Sequence, residues 1–224
     1  TGCRDYRCRG QRRVMFVTAV TETTRKKVKI EFDHQFTLVL YKGELKVFSL
    51  REGAEVPDDT IERIEDQILK KRATKYAMNL LVKKDYTSKE LTDKLVKAGY
   101  TENSAGAALT YVSSYHYVDD LSYARRYLET YSDRKSIKKM QMELRQKGIS
   151  DELFARAKDE AQMEDEADTL RYYAEKKARS LDLSQEKDRQ KLLRFLVGRG
   201  FSFGDARDML QELSDGVSDA VEYE

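Results

Sequence analysis

The chain has 224 residues, 37% of them charged and 40% apolar with Tyr included, and 42 Lys and Arg against 40 Asp and Glu leave a net charge of +2. That length suits one or two domains or a short array, and the near-neutral balance by itself points to no partner. No apolar run approaches the roughly 18 residues of a membrane-spanning helix and no signal-peptide core is visible, so the expectation is a soluble cytoplasmic protein with no membrane partner.

Residues 1–13 form a basic arm, with Arg4, Arg7, Arg9, Arg12 and Arg13 around Cys3 and Cys8. Two cysteines in one short stretch supply neither a disulfide framework nor a four-ligand zinc site. With His34 and His116 as the only histidines, in unrelated contexts, a His-ligated metal site or His-based triad is not expected. Neighbouring arginines would lower a thiol pKa, but a flexible arm explains the stretch with fewer assumptions.

Residues 14–56 read as a small β segment. Val14–Val20, Lys27–Phe32, Phe36–Tyr41 and Leu45–Leu50 are short runs rich in Val, Ile, Phe and Thr, and Asp33-His34 and Lys42-Gly43 read as hairpin turns between them. Val28, Ile30 and Phe32 alternate with Lys27, Lys29 and Glu31, the period of a half-buried strand. Four such strands bury too little to stand alone, so the sheet is expected to pack on the chain that succeeds it.

The rest reads as helical. The chain has one proline, Pro57, where average usage would give about eleven, and it is rich in Lys, Glu, Arg and Leu. Pro57-Asp58-Asp59 opens this part with an Asp placed to cap, ahead of a stripe of Ile61, Ile64, Ile68 and Leu69. A repeat of about 50 residues then appears, anchored on Lys97-Ala98-Gly99-Tyr100, Gln146-Lys147-Gly148-Ile149 and Gly198-Arg199-Gly200-Phe201. In each anchor a Leu (Leu95, Leu144 or Leu196) stands four residues before a Gly suited to the C′ position, and Thr101, Ser150 or Ser202 comes next to cap the following helix. Each unit has an earlier helix carrying Ala77, Ala124 or Ala174. Thr87-Ser88-Lys89-Glu90 is a capping box, and Val118-Asp119-Asp120 caps entry to the second unit. The fold class expected is therefore mainly α: tandem three-helix repeats in an elongated array, preceded by a small antiparallel β segment. The boundaries are 57–118 for repeat 1 with its lead-in helix, 119–161 for repeat 2, 162–213 for repeat 3 and 214–224 for an acidic tail.

No Gly-rich phosphate loop, paired metal-binding histidines or nucleophile elbow is present, and Asp119-Asp120 is more simply a cap than a magnesium site. No catalysis, cofactor or metal is expected. The most informative stretch is the basic helix of repeat 2. Ile137, Met140 and Leu144 share an inward face, which places Lys135, Lys138, Lys139, Met142 and Gln146 outward with Arg145 at the border. A charge run of this kind also fits a plain solvated face. Arg125 and Arg126 on the preceding helix favour a contact surface for phosphates or for an acidic protein. Tyr111, Tyr115, Tyr117, Tyr123, Tyr127 and Tyr131 read as a packing wall between repeats 1 and 2 rather than as base-stacking rings.

These pieces together resemble the RecX family of bacterial recombination regulators. The resemblance is carried by Tyr86-Thr87-Ser88-Lys89-Glu90-Leu91, by Tyr117-Val118-Asp119-Asp120 with Tyr123-Ala124, by Ser136-Ile137 through Glu143-Leu144-Arg145-Gln146-Lys147-Gly148-Ile149, and by Arg199-Gly200-Phe201-Ser202. It covers roughly residues 70–213, and His116 departs from it where a Gly before the aromatic is more usual. It implies a monomeric, non-enzymatic protein that binds the RecA recombinase filament on single-stranded DNA and limits its assembly, ATP hydrolysis and strand exchange in recombinational repair and the SOS response. Single-stranded and double-stranded DNA are the nucleic-acid partners it implies. On that reading Lys135, Lys138, Lys139, Arg145, Lys147, Arg125 and Arg126 are the recombinase- and DNA-binding residues. Reversing Lys135, Lys138 and Lys139 to Glu is then expected to abolish filament binding and leave the helical signal intact. The alternatives are a stand-alone nucleic-acid-binding helical protein and an adaptor for some other acidic protein.

Overall fold

Short runs rich in Val, Ile, Phe and Thr build three antiparallel strands, β1 (Val14–Glu22), β2 (Lys27–Phe32) and β3 (Thr37–Tyr41), and in β2 the apolar residues alternate with charged ones. A three-residue strand, β4 (Glu55–Pro57), completes the sheet in the order β3-β2-β1-β4. The computed structural model describes residues 14–33, 36–132, 134–163 and 166–221; the basic arm with Cys3 and Cys8, and His34, lie outside the described residues. Two compact units result, Thr1–Val118 and Asp119–Glu224.

In the first unit Val28 pairs with Leu40 and Ile30 with Leu38, so all four side chains reach one face and are buried. That face packs on Leu50, Val56, Ile61, Ile64 and Leu69, as expected for a sheet too small to be stable alone. One expected strand is wrong. Lys42-Gly43 is no hairpin turn and Leu45–Leu50 no strand, because the chain turns into a helix, α1 (Lys42–Val47). The Glu44 carboxylate accepts from the Tyr41 amide at 2.8 Å, satisfying a free donor at the helix start. Ser49, at φ 53°, ends α1 in the left-handed region, and the Leu50 amide donates back to the Leu45 carbonyl at 2.9 Å. Leu45 and Leu50 are thus the two sides of a helix cap rather than one face of a strand.

Pro57 stands at the N-cap of α2 (Asp58–Ile64), which continues through a π-helical turn at Glu65–Leu69 into α3 (Lys70–Leu81). Neither Asp makes the expected capping bond. Pro57, extended at φ −64° and ψ 147°, stands at the N-cap just outside the helix, and Asp58 and Asp59 act from its first turn through the dipole. The capping box at Thr87 forms on both sides and opens α4 (Ser88–Lys97), followed by α5 (Glu102–Ser114). Ala73, Ala77, Leu91, Leu95, Ala105, Ala108 and Val112 form the core of this first helical repeat.

The second unit holds α6 (Asp120–Tyr131), α7 (Ile137–Gln146) and α8 (Asp151–Glu160), then α9 (Glu166–Ala178), α10 (Glu186–Gly198) and α11 (Phe203–Val221). Asp119 caps α6 by accepting from the Leu121 and Ser122 amides at 3.0 and 3.1 Å. The last helix runs on through Val221, so the acidic segment after residue 213 continues it.

All three glycine anchors form the same helix stop. Gly99, Gly148 and Gly200 have φ of 92°, 92° and 100°. The next amides, of Tyr100, Ile149 and Phe201, donate to the Leu95, Leu144 and Leu196 carbonyls at 3.2, 3.0 and 3.4 Å. Thr101, Ser150 and Ser202 then cap the next helices. His116 shows why its place in the sequence is unusual. At φ 56° it is the C′ residue of α5, with the Tyr117 amide donating to the Val112 carbonyl at 3.0 Å. Since a left-handed L-residue costs about 1 kcal/mol more than glycine there, partly offset by glycine's larger unfolded-state entropy, His116→Gly is expected to stabilise the first unit by about 0.5 kcal/mol. A rise of a few degrees in thermal midpoint checks this; a fall means that the exposed imidazole makes a contact the backbone argument ignores.

Candidate basic interaction surface

Ser136 is almost fully buried, and its hydroxyl accepts from the Lys139 amide at 3.2 Å, which fixes the start and rotation of α7. Met140 and Leu144 then point inward and are fully buried. Lys138, Met142 and Arg145, at helical spacing, point outward. Residues from repeat 3 close one side of this outer face. The Arg199 carbonyl accepts from the Ser136 amide at 3.1 Å, and the Arg199 guanidinium donates to the Arg134 carbonyl at 2.9 Å. The same guanidinium lies 4.1 Å from the ring centre of Tyr173 and 4.5 Å from that of Phe195. Gly200 meets α7 so closely that a Cβ there would fall 2.5 Å from that of Lys139. Repeats 2 and 3 are therefore locked side by side.

The groove along this junction is lined by Lys138, Lys139, Gln141, Met142 and Arg145 from α7, and by Val197, Gly198 and Gly200 from the end of α10. Lys138 is exposed, with no ion-pair partner among the described residues. Arg145, with a side chain 74% exposed, reaches Asp151 only at 4.0 Å. Lys139 turns its ammonium back to the Gly198 carbonyl at 2.7 Å, so it ties the two walls together.

The other expected site residues lie elsewhere. Lys135 is not on the outer face. It precedes α7, and its ammonium donates to the Glu143 carboxylate at 2.6 Å and to the Tyr127 hydroxyl at 2.9 Å, 4.2 Å from the ring centre of Tyr131. The Tyr127 hydroxyl also donates to Glu143. The reason is local: the residue before an N-cap leaves the helix direction, and two tyrosines from α6 offer it an aromatic and hydrogen-bonding partner. Burial pushes the Glu143 carboxyl up, but the bonds from Lys135 and Tyr127 outweigh it and hold the group below its ordinary range. Burial likewise works against charge on Lys135, and the same bonds raise its pKa above the usual value. Arg125 lies 3.8 Å from Glu129 and 3.9 Å from Glu160, Arg126 is exposed, and Lys147 sits 5.6 Å over the Tyr123 ring. The seven residues thus divide: Lys138, Lys139 and Arg145 share one groove, Lys135, Lys147 and Arg125 brace helices, and Arg126 is exposed on α6.

The tyrosine stretch divides too. Tyr123, Tyr127 and Tyr131 pack against the core of repeat 2. Tyr111, Tyr115 and Tyr117 are 44, 58 and 56% exposed, with ring centres 5.0 and 6.1 Å apart in sequence. What residue patterns missed is the second wall of the groove, Val197 and Gly198; its one signal was the glycine pair at the third repeat anchor.

Among the described residues there is no cluster of His, Cys, Asp or Glu placed to hold a metal ion, and no helix long and apolar enough to cross a membrane. Exposed cations on an apolar floor can hold an acidic partner by charge and by contact.

Family models for the first, second and third three-helix domains of RecX match residues 73–111, 119–157 and 164–210 in order. Regulatory protein RecX of Thermus thermophilus is 33% identical over 147 residues, covering 64% of this chain and 96% of that protein. Regulatory protein RecX of Clostridium tetani is 26% identical over 205 residues, covering 88% of this chain and 94% of that one. The crystal structure of RecX from Lactobacillus salivarius superposes with a TM-score of 0.53 at 25% identity, covering 65% of this chain and 96% of that one. A crystal structure of regulatory protein RecX gives 0.54 at 20% identity over 88% of this chain and 99% of that one.

Proposed function

Because the chain belongs to the RecX family, we propose that it is a cytoplasmic, non-enzymatic regulator that docks on a RecA filament on single-stranded DNA and limits filament growth, ATP hydrolysis and strand exchange. The observation that carries this reading is the unbroken succession of all three family domains over residues 73–210. The groove between repeats 2 and 3 supports it by offering exposed cations on a locked scaffold, the kind of surface that meets an acidic partner without reorganising. Lys138 and Arg145 are the electropositive contacts in this reading; Lys139 acts mainly by closing the groove.

The test is RecA ATP hydrolysis on single-stranded DNA with this protein titrated upward from well below stoichiometric amounts. Strong inhibition at a small fraction of the recombinase concentration is expected, because blocking filament growth needs few molecules and covering the DNA needs many. The exposed rings of Tyr111, Tyr115 and Tyr117 favour the second reading, a stand-alone binder of unpaired nucleic acid on which bases stack. It predicts no sub-stoichiometric effect and an affinity for bare DNA that falls steeply with salt.

A further inference from the structure

We propose that the groove between α7 and the end of α10 receives an acidic segment of the recombinase that carries one large apolar side chain, an inference that rests on the filament-docking reading above. The groove is chiefly apolar. Met142 and Val197 both line it, one from each repeat, and both are open to solvent, at 55 and 41% exposure. Gly198 leaves the opposite wall bare, with nothing within 4 Å of where a Cβ would stand. Methionine adapts its shape to what enters, so the floor suits an inserted aliphatic or aromatic side chain. Lys138 and Arg145 stand at the rim, where carboxylates flanking that side chain would meet them.

The same features argue against a phosphate backbone here. Lys139 is spent on the Gly198 carbonyl, which leaves two available cations rather than the row a polynucleotide track needs. No aromatic ring lines the groove for a base to stack on; the exposed tyrosines lie elsewhere.

The experiment compares three full-length proteins: wild type, Met142→Ser with Val197→Ser, and Lys138→Ala with Arg145→Ala. Each is assayed for inhibition of recombinase ATP hydrolysis, for affinity to an oligo-dT strand alone, and for mass in solution. All four positions are exposed, and unchanged urea midpoints confirm that folding is kept. The double-serine protein is expected to need about tenfold more for half-inhibition, the loss of one buried anchor contact, with oligo-dT affinity unchanged. The double-alanine protein loses inhibition as well. Inhibition by the double-serine protein equal to wild type overturns the proposal. Oligo-dT affinity falling in step with inhibition makes the groove a nucleic-acid site instead. A wild-type dimer that the serine changes dissociate makes the occupant a second copy. A wild type without effect on the recombinase is a separate result: it overturns the filament reading, and this inference with it.

Discussion

Gly200→Ala is expected to destabilise the second unit by about 3 kcal/mol, and Gly198→Ala, two residues upstream, to stabilise it by about 0.5 kcal/mol. The opposite signs come from what each Cβ would meet. At Gly200 the backbone has φ 100°, which an L-residue adopts only under strain. The added carbon would also lie 2.5 Å from the Lys139 Cβ and 2.6 Å from the Ser136 hydroxyl, both held in place by the α7 cap. Backbone strain and overpacking each cost about 1–3 kcal/mol, and either the junction between repeats 2 and 3 opens or the helix end unwinds. Gly198 is helical, with open space around it, so an alanine there only removes unfolded-state freedom. Urea unfolding of both variants gives the comparison. Equal effects from the two would mean that the repeats do not rely on this contact. Because the groove has one wall on each repeat, Gly200→Ala is also expected to weaken filament inhibition more than its loss of stability at 25 °C explains.

The helical repeats were legible because their stops are local. A Gly at C′, a Leu four residues back and a Ser or Thr two residues on are enough to specify where one helix ends and the next begins, and Gly99, Gly148 and Gly200 all do this. Leu45–Leu50 was not legible. A short apolar run reads equally as a strand or a helix end, and what decides it is Glu44 reaching back to the Tyr41 amide. The site was half legible. Helical spacing put Lys138 and Met142 on the outward face, together with Lys135, Lys139 and Gln146 and with Arg145 at the border. Lys138, Met142 and Arg145 are exposed, whereas Lys135 and Lys139 turn back to partners in the fold. Spacing could not show that Lys139 would be tied to a carbonyl 59 residues downstream, or that Val197 would line the same groove as Met142, since both depend on how one repeat packs on the next. The inward turn of Lys135 depends on tyrosines eight and four residues earlier, which periodicity counted as packing and never as partners for a charge.

Lys135→Met is expected to lower the stability of the second unit by about 1–3 kcal/mol at neutral pH, whereas Lys138→Met changes it by no more than about 0.5 kcal/mol. Both lysines belong to one basic run, but Lys135 holds a half-buried carboxylate. Without it Glu143 keeps one hydrogen bond, from the Tyr127 hydroxyl, and the weaker field of Lys139 against the cost of its burial. The pH dependence identifies the cause. Glu143 titrates below its ordinary value of 4.5 in the folded chain, so its contribution is complete above 4.5 and is lost as the pH falls through the folded value. Lys135 titrates above its ordinary 10.5, so its contribution is complete below 10.5 and is lost only as the pH rises through the folded value. The stability gap between wild type and Lys135→Met is therefore flat from about pH 5 to 10 and narrows in acid. A gap that persists unchanged at pH 3 would assign the loss to packing against Tyr127 and Tyr131 instead. The consequence for function is direct. Reversing Lys135 together with Lys138 and Lys139 sets three carboxylates around Glu143 and the α10 end, so the helical signal is not expected to survive intact and lost binding would report unfolding. Lys138, which has no ion-pair partner among the described residues, and Arg145, whose one ion pair to Asp151 is long and exposed, are the positions at which charge can be changed and binding alone read out.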